Sequence, residues 1–264
     1  MAAEIVKITE PGFSMDYAVF GKGSKPLVII PGMSVCPVIP SADYVASTFR
    51  CLCDDYRIYL FDRISDMPSG YTVEDMTEDV CRAMSHADIS NAYVYAPSQG
   101  AMIAMNLAVS HPEAAGAMVL ASTSSRPSRT CTATMERWAA LASEGDAVLL
   151  NRDVFSRVYS PEFYRRNASA LDYAAKMGTA EDLRRFAVEA YATEKFDIYD
   201  RLEAIHCPVF VYGVENDTVL GSEGVRDIAS KLRCGLYLYP GRGHAAYDED
   251  RNFPSKLAEF FGSI

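Results

Sequence analysis

The stretch YVYAPSQGAMIAMNLA (Tyr93–Ala108) changes its pattern of apolar residues halfway along. Its first half is a short aromatic and β-branched run, typical of a strand buried on both faces, whereas the spacing over 99–110 predicts a helix. Between them stands Ala96-Pro97-Ser98-Gln99-Gly100, where a small residue on either side of a serine permits an abrupt turn. The stretch therefore predicts a parallel strand followed directly by a helix, with the Ser98 hydroxyl presented at the turn.

The strand-helix alternation continues outward from this stretch. Further strands are predicted at PLVIIPG, YRIYLFD, AGAMVLAS, PVFVYGV and GLYLYPG, with two more strands around Pro11-Gly12 near the N-terminus. Helical patterns cover 40–54, 72–84, 223–232 and the C-terminal end. Such alternation indicates an α/β fold with a mostly parallel central sheet flanked by helices.

The alternation stops between about Ser124 and Ala204, where only helical patterns occur, separated by Gly145, Ser160-Pro161 and Gly178. We interpret this segment as a helical cap inserted between two sheet strands. The predicted organisation is a core domain of residues 1–123 and 205–264 and a cap, or lid, of residues 124–204.

Composition narrows the function classes. The chain has 264 residues, 49% of them hydrophobic, and a formal net charge of −10. This size can bury a large core, and the acidic balance argues against nucleic acid or an anionic membrane as a partner. Seven cysteines, an odd number in apolar surroundings, are typical of reduced thiols in a cytoplasmic protein, and no apolar run is long enough to cross a bilayer. The Cys51-Leu52-Cys53 pair lacks a second pair at metal-binding spacing, so we expect no metal and no cofactor.

Three chemically related residues follow the ends of predicted parallel strands, in the order Ser98, Asp217, His244. Open α/β sheets form their ligand crevices at this edge. A serine hydroxyl needs a base to become nucleophilic, histidine can be that base near neutral pH, and a carboxylate can orient the histidine. The pattern predicts a Ser-Asp-His catalytic triad in the chain order of nucleophile-elbow enzymes.

These motifs resemble the α/β-hydrolase fold family, in its lidded, serine esterase-like branch. APSQG resembles the family's nucleophile elbow, with Ala96 where glycine is usual, and GRGH resembles its glycine-preceded histidine. LVIIPGMS resembles the oxyanion loop, with Pro31 where many members have histidine. The resemblance implies that the backbone N–H groups of Met33 and Gln99 form the oxyanion hole.

Two positions leave alternatives open. Glu215 in GVEND is a rival to Asp217 as the triad acid, although Asp217 is favoured because a small residue and a valine follow it. After YRIYLFD, residues 63–68 replace the family's glycine-rich loop, which usually borders the pocket. Asp62 and Arg63, at the end of that strand, are interpreted as a structural ion pair or loop anchor. The acidic run 248–250 near His244 is expected on a solvated face.

The predicted function is that of a serine hydrolase, carboxylesterase-like, acting on an ester or related acyl bond of a small-molecule substrate. Apolar and aromatic residues in the cap, such as Trp138, Phe155 and Tyr159, favour a small, mostly apolar substrate. C–C bond hydrolases, thioesterases and acyltransferases use the same machinery and stay open as alternatives. So does a non-catalytic ligand-binding protein of the same fold, and a homodimer formed through the cap is compatible with either function.

Overall fold

The computed structural model, which describes residues 2–64 and 66–264, is built around one eight-stranded sheet. Met1, and Ser65 in the loop after the fourth strand, lie outside the described residues. The strands are β1 (Glu4–Glu10), β2 (Phe13–Phe20), β3 (Lys25–Ile29), β4 (Tyr56–Phe61), β5 (Ala92–Pro97), β6 (Ala115–Ala121), β7 (Val209–Val214) and β8 (Gly235–Tyr239). Their order across the sheet is β1-β2-β4-β3-β5-β6-β7-β8. β2 pairs antiparallel with β1 and β4, and the pairings from β4 to β8 are parallel, which confirms the mostly parallel sheet.

The continuous apolar runs of the central strands are explained by burial on both faces. In β3, Leu27 and Ile29 pack in the core cluster that also contains Phe253 and Phe261 from the C-terminal helix. Val28, between them, points to the opposite face and packs in the cluster that contains Met102. Both faces of the sheet therefore bury apolar side chains under helices, as in other parallel sheets.

Eleven α-helices are described along the chain. They are α1 (Ala42–Thr48), α2 (Val73–His86), α3 (Gln99–Ser110), α4 (Arg129–Glu144), α5 (Ala147–Val158), α6 (Pro161–Arg166), α7 (Ala168–Ala174), α8 (Ala180–Lys195), α9 (Glu223–Leu232), α10 (Ala246–Glu249) and α11 (Phe253–Gly262). The helix predicted over 40–54 is shorter than expected, because α1 ends at Thr48 and a single 3-10 turn follows at Arg50–Leu52. Val45, Ser47 and Thr48 have weak helix propensity, which accounts for the early end.

Helices α4–α8 lie between β6 and β7, where the sequence predicts a helical insertion. The predicted breaks are confirmed: Gly145 ends α4 with a left-handed φ of 80°, Pro161 begins α6, and Gly178 precedes α8. α4 and α8 pack together, and the rings of Trp138 and Phe186 lie 6.0 Å apart between them. The division of the chain into core and cap at 124 and 204 stays a prediction. None of the described helices is long and apolar enough to cross a membrane.

Candidate active site

The backbone at Ser98 has the strained geometry that the sequence suggested. β5 ends at Pro97, α3 begins at Gln99, and Ser98 between them has φ 54° and ψ −125°. A non-glycine residue holds such angles only where its surroundings impose them. Here the Ser98 N–H donates to the Ala121 carbonyl at 2.7 Å, and the Thr123 hydroxyl donates to the Ser98 carbonyl at 2.9 Å. β6 and the residues after it therefore fix the turn and leave the half-buried Ser98 hydroxyl at the carboxyl edge of the sheet.

Small residues around the turn are required by close contacts between backbones. A Cβ at Gly100 would lie 2.0 Å from the Ile30 carbonyl oxygen, so the start of α3 accepts no side chain there. A Cβ at Gly32 would lie 3.1 Å from the Ser98 Cβ. Ala96, which stands where the family usually has glycine, is fully buried in the core cluster beneath the turn. The strand end thus accommodates a methyl group at position 96.

The side chains of Ser98, His244 and Asp217 form a continuous line of hydrogen bonds. His244 Nε2 lies 3.0 Å from Ser98 Oγ, and His244 Nδ1 lies 2.8 Å from Asp217 Oδ2. His244 is 3% exposed and Asp217 9% exposed, so water has little access to the pair. With the Nδ1 proton donated to Asp217, Nε2 is free to accept the proton of the Ser98 hydroxyl.

The environment of Asp217 keeps its carboxyl ionised. Burial by itself raises the pKa of Asp217, but the neighbouring His244 and the N–H groups of Leu220 and Val219 outweigh burial and leave this pKa below its usual value. Asp217 Oδ1 accepts from the Val219 N–H at 2.8 Å and from the Leu220 N–H at 3.0 Å, so its other oxygen faces the imidazole. A buried carboxylate held in this way fixes the tautomer of the histidine.

The rival acid, Glu215, lies elsewhere. It directly follows β7, its side chain is exposed, and its N–H donates to the Tyr239 carbonyl. The turn after β7 therefore brings Asp217, and not Glu215, to His244.

The two residues expected to supply an oxyanion hole lie on segments beside Ser98. Gln99 is the first residue of α3, and N–H groups in the first turn of a helix have no acceptor within the helix. Met33 follows Gly32, where an added Cβ would lie 3.1 Å from the Ser98 Cβ, so the segment of residues 31–35 (the Met33 segment) passes beside Ser98. The Met33 sulfur accepts from the Thr193 hydroxyl at 3.3 Å. Both residues therefore lie on segments that adjoin the Ser98 turn, and their role as an oxyanion hole stays a prediction.

The predicted loop anchor at Asp62 and Arg63 has well-defined partners. Asp62 Oδ2 accepts from the N–H groups of Val38 and Ile39 at 2.9 Å and 3.1 Å, and holds the chain that follows the Met33 segment. The Arg63 guanidinium is buried and donates to Pro31 and Gln99. Both side chains bind the protein itself, as an anchor requires.

The acidic run 248–250 does not lie wholly on a solvated face, so that expectation is wrong for Glu249. Glu249 is 4% exposed and accepts hydrogen bonds from Ser160 and from Gly243, the residue before His244. The histidine loop also bonds to the end of α5, since the Ala245 N–H donates to the Val158 carbonyl at 2.7 Å. The helical insertion therefore directly supports the loop that carries His244.

No group of three or more His, Cys, Asp or Glu side chains within residues 2–64 and 66–264 is arranged to hold a metal ion.

The amino-acid sequence matches a known protein family whose fold is the one described above. The family model described as the α/β hydrolase fold matches residues 25–251, and the chain belongs to that family. A curated relative from Mycobacterium tuberculosis (strain CDC 1551 / Oshkosh), named "Putative non-heme bromoperoxidase BpoC", is 26% identical over 231 residues, which are 84% of this chain and 86% of that relative.

Solved structures extend the similarity in fold to almost the full chain. The α/β hydrolase MGS-M2, from a Medee basin deep-sea metagenome library, has a TM-score of 0.86 at 22% identity and covers 97% of both chains. The enol-lactonase from Burkholderia xenovorans LB400 has a TM-score of 0.83 at 19% identity, covering 97% of this chain and 100% of its own. The family model identifies the chain as an α/β hydrolase, and the solved structures agree in fold.

Proposed function

We propose that this protein is a serine hydrolase that cleaves an ester or related acyl bond through an acyl-enzyme on Ser98. His244 acts as the base, Asp217 orients it, and the backbone N–H groups of Met33 and Gln99 hold the oxyanion. The observation that carries the proposal is the hydrogen-bonded line Ser98–His244–Asp217, with 3.0 Å and 2.8 Å between its members, on a strained turn.

The first half of the reaction transfers the acyl group to the enzyme. His244 Nε2 removes the proton from the Ser98 hydroxyl as Oγ attacks the carbonyl carbon of the substrate. The carbonyl electron pair moves onto oxygen, where the two N–H groups stabilise it. The intermediate then collapses, the leaving oxygen takes the proton from His244, and the alcohol departs.

The second half returns the enzyme to its starting state. A water molecule gives its proton to His244 and attacks the acyl carbon. Collapse of the second tetrahedral intermediate releases the acid, and the proton on His244 returns to Ser98. All the groups used are supplied by residues that lie together at the carboxyl edge of the sheet.

The surroundings of His244 favour an apolar substrate group. Phe155, Tyr159 and Phe163 are half-buried, and the rings of Tyr159 and Phe163 stack with centroids 4.7 Å apart. This aromatic cluster lies on the segment whose Val158 carbonyl accepts from the histidine loop. Apolar walls next to a few polar reacting groups are typical of small-molecule sites.

The test is labelling with a fluorophosphonate, which reacts with activated serines, followed by peptide mapping. We expect one label per chain on Ser98, and loss of labelling in Ser98→Ala and in His244→Ala. Ser85→Ala, which removes a surface hydroxyl from α2, is the matched control and should label fully. Circular dichroism of each variant establishes that it is folded.

Turnover of a substrate panel then separates the reactions that share this machinery. The panel contains short and long acyl esters, lactones, thioesters and a C–C bond hydrolase substrate, with an alcohol acceptor added to detect acyl transfer. The names of the relatives, a bromoperoxidase and an enol-lactonase, differ in reaction and do not select among these. A folded protein that is neither labelled nor active on any substrate would overturn the proposal in favour of a ligand-binding protein.

A further inference from the structure

A single guanidinium nitrogen bridges the two segments that flank the Ser98 hydroxyl. Arg63 Nη2 donates to the Pro31 carbonyl at 2.8 Å and to Gln99 Oε1 at 3.0 Å. The Arg63 side chain is only 6% exposed, so neither hydrogen bond competes with bulk water.

One acceptor lies two residues from a proposed oxyanion donor, and the other is the side chain of the second donor residue. Pro31 is two residues before Met33, and at Gly32 between them an added Cβ would lie 3.1 Å from the Ser98 Cβ. Gln99 itself carries the second proposed N–H. The distance between the two N–H groups therefore depends on how the segment at Pro31 packs against the start of α3. Arg63 joins that segment to the start of α3 through its two hydrogen bonds.

The bridge extends to α8. Gln99 Nε2 donates to the Glu189 carbonyl at 2.9 Å and to the Thr193 hydroxyl at 2.8 Å. The Glu189 carboxylate lies 3.9 Å from Arg63 Nε and 3.2 Å from Arg185 Nε. Gln99 is thus held on one side by Arg63 and on the other by α8, so its side chain has one orientation.

Charge balance with the buried Glu189 carboxylate accounts for a cation near this position, but not for its hydrogen bonds to Pro31 and Gln99. Burying a charged side chain costs free energy unless nearly all its hydrogen-bonding groups have partners. A protein with an apolar residue at such a position is often just as stable. Within the described residues, Arg63 Nε and Nη1 make no hydrogen bond, so this guanidinium is incompletely satisfied. The bonds that it does make are those to Pro31 and Gln99.

We propose that Arg63 is a positioning residue for the oxyanion hole. It holds the Met33 and Gln99 N–H groups at the spacing that the developing oxyanion needs. The inference rests on the proposed function, because it assigns Arg63 a role in the same reaction.

The experiment compares wild type with Arg63→Met, Arg63→Lys and the matched control Arg185→Met. Arg185 is buried to the same degree and also pairs with Glu189, but its acceptor, the Val35 carbonyl, belongs to the Met33 segment alone, and Arg185 makes no hydrogen bond to Gln99. Loss of either arginine leaves Glu189 without one cation, so a purely structural effect should be similar in the two Met variants. Lysine at 63 keeps the charge and can donate to two acceptors from its one nitrogen, but it lacks the planar guanidinium that fixes the direction of those donors.

Steady-state kinetics are measured on an ester and on the corresponding thionoester, in which sulfur replaces the carbonyl oxygen. An oxyanion hole built for oxygen favours the ester, so the ester-to-thionoester ratio of kcat/KM reports its geometry. For Arg63→Met we expect kcat on the ester to fall by about 10–100-fold, less than the loss of a whole donor, with KM within about threefold and a smaller ratio. Arg63→Lys should lie between wild type and Arg63→Met, and Arg185→Met, which loses a contact with only one of the two segments, should change the ratio clearly less than Arg63→Met.

Two results would overturn the inference while leaving the proposed function intact. One is an Arg63→Met enzyme with the kcat and ratio of wild type, and the other is an equal change in both Met variants. Wild type that neither turns over esters nor reacts with fluorophosphonate would instead overturn the proposed function, and the oxyanion role of Arg63 with it.

Discussion

The carboxylate of Glu249 accepts two hydrogen bonds from Ser160, one from its N–H and one from its hydroxyl, each at 2.7 Å. Ser160 is the N-cap of α6, and its hydroxyl in turn accepts from the Phe163 N–H. The same carboxylate accepts from the Gly243 N–H at 3.1 Å. Glu249 therefore joins the beginning of α6 to the loop that carries His244.

Replacement of Glu249 by leucine should be costly, because it leaves the buried Ser160 N–H and the half-buried Gly243 N–H without an acceptor. We expect the free energy of unfolding to fall by about 3 kcal/mol. Activity should fall as well, since the histidine loop loses its support. Glu249→Gln keeps one oxygen for both N–H groups and should lose about 1 kcal/mol.

Urea denaturation and kcat/KM on the same preparations check this prediction. Glu259→Gln, which alters an exposed carboxylate on α11, is the control and should stay within about 0.5 kcal/mol of wild type. If Glu249→Leu were as stable and active as that control, the support role of Glu249 would be excluded.

Asp217→Asn tests which carboxylate orients His244. The amide cannot hold the Nδ1 proton of the imidazole as a carboxylate does, so kcat should drop by about 10³–10⁴-fold while the fold persists. Glu215→Gln changes the exposed rival and should keep full activity. The reverse pattern of losses would move the acid role to Glu215.

Gly100→Ala probes the close contact beneath the Ser98 turn. The new Cβ would lie 2.0 Å from the Ile30 carbonyl oxygen and 2.7 Å from that of Pro31, both rigid backbone atoms. We expect a loss of about 3 kcal/mol in thermal or urea unfolding and a fall in kcat, as the Met33 segment is pushed away.

The control is Gly262→Ala at the end of α11, where nothing described lies within 4 Å of the new Cβ. Alanine favours the helix over glycine, so this variant should gain up to about 0.5 kcal/mol. An equally small effect of Gly100→Ala would contradict the contact inferred from the structure.

Asp79 makes stability depend on pH. Burial raises the pKa of this carboxyl to about 6, although the hydrogen bond from the Tyr71 hydroxyl opposes the rise. Because the unfolded chain releases this proton near pH 4, stability should fall between about pH 4 and 6 and stay lower above pH 6. Asp79→Asn removes this cost. At pH 8 its free energy of unfolding should exceed that of wild type by about 1–2 kcal/mol, after allowance for solvent screening, and at pH 4 there should be no gain.

Urea denaturation across this pH range measures the difference. Asp54→Asn alters an exposed aspartate and should leave the pH dependence of wild type unchanged. A constant offset between Asp79→Asn and wild type from pH 4 to 8 would rule out titration of Asp79 as its cause.

The ends of several strands and helices could be predicted from the sequence, because they depend on local pattern. The change of period at Ala96–Gly100 gave the end of β5 and the start of α3, and the signals at Gly145 and Pro161 gave ends in the helical insertion. These features depend on residues that are neighbours along the chain. The spacing of apolar residues and the preferences of glycine and proline at helix ends are enough to predict them.

Partners distant in sequence could not be predicted. Glu249 looked solvated because it stands between two other acids, but its partner Ser160 is 89 residues away. Arg63 was interpreted as an anchor, yet its contacts with Pro31 and Gln99, 32 and 36 residues away, depend on the order of β4, β3 and β5 in the sheet. Similarly, only the folded turn after β7 decides whether Glu215 or Asp217 faces the histidine.

The measurement that tests the central claim most directly is detection of the acyl-enzyme itself. Wild type is mixed with p-nitrophenyl acetate, quenched with acid within milliseconds to seconds, digested and analysed by mass spectrometry. We predict one acetyl group on the peptide that contains Ser98, formed as fast as p-nitrophenol is released and absent from Ser98→Ala. Release of p-nitrophenol at the wild-type rate by Ser98→Ala, or an acetyl group on another residue formed at the rate of turnover, would contradict the account.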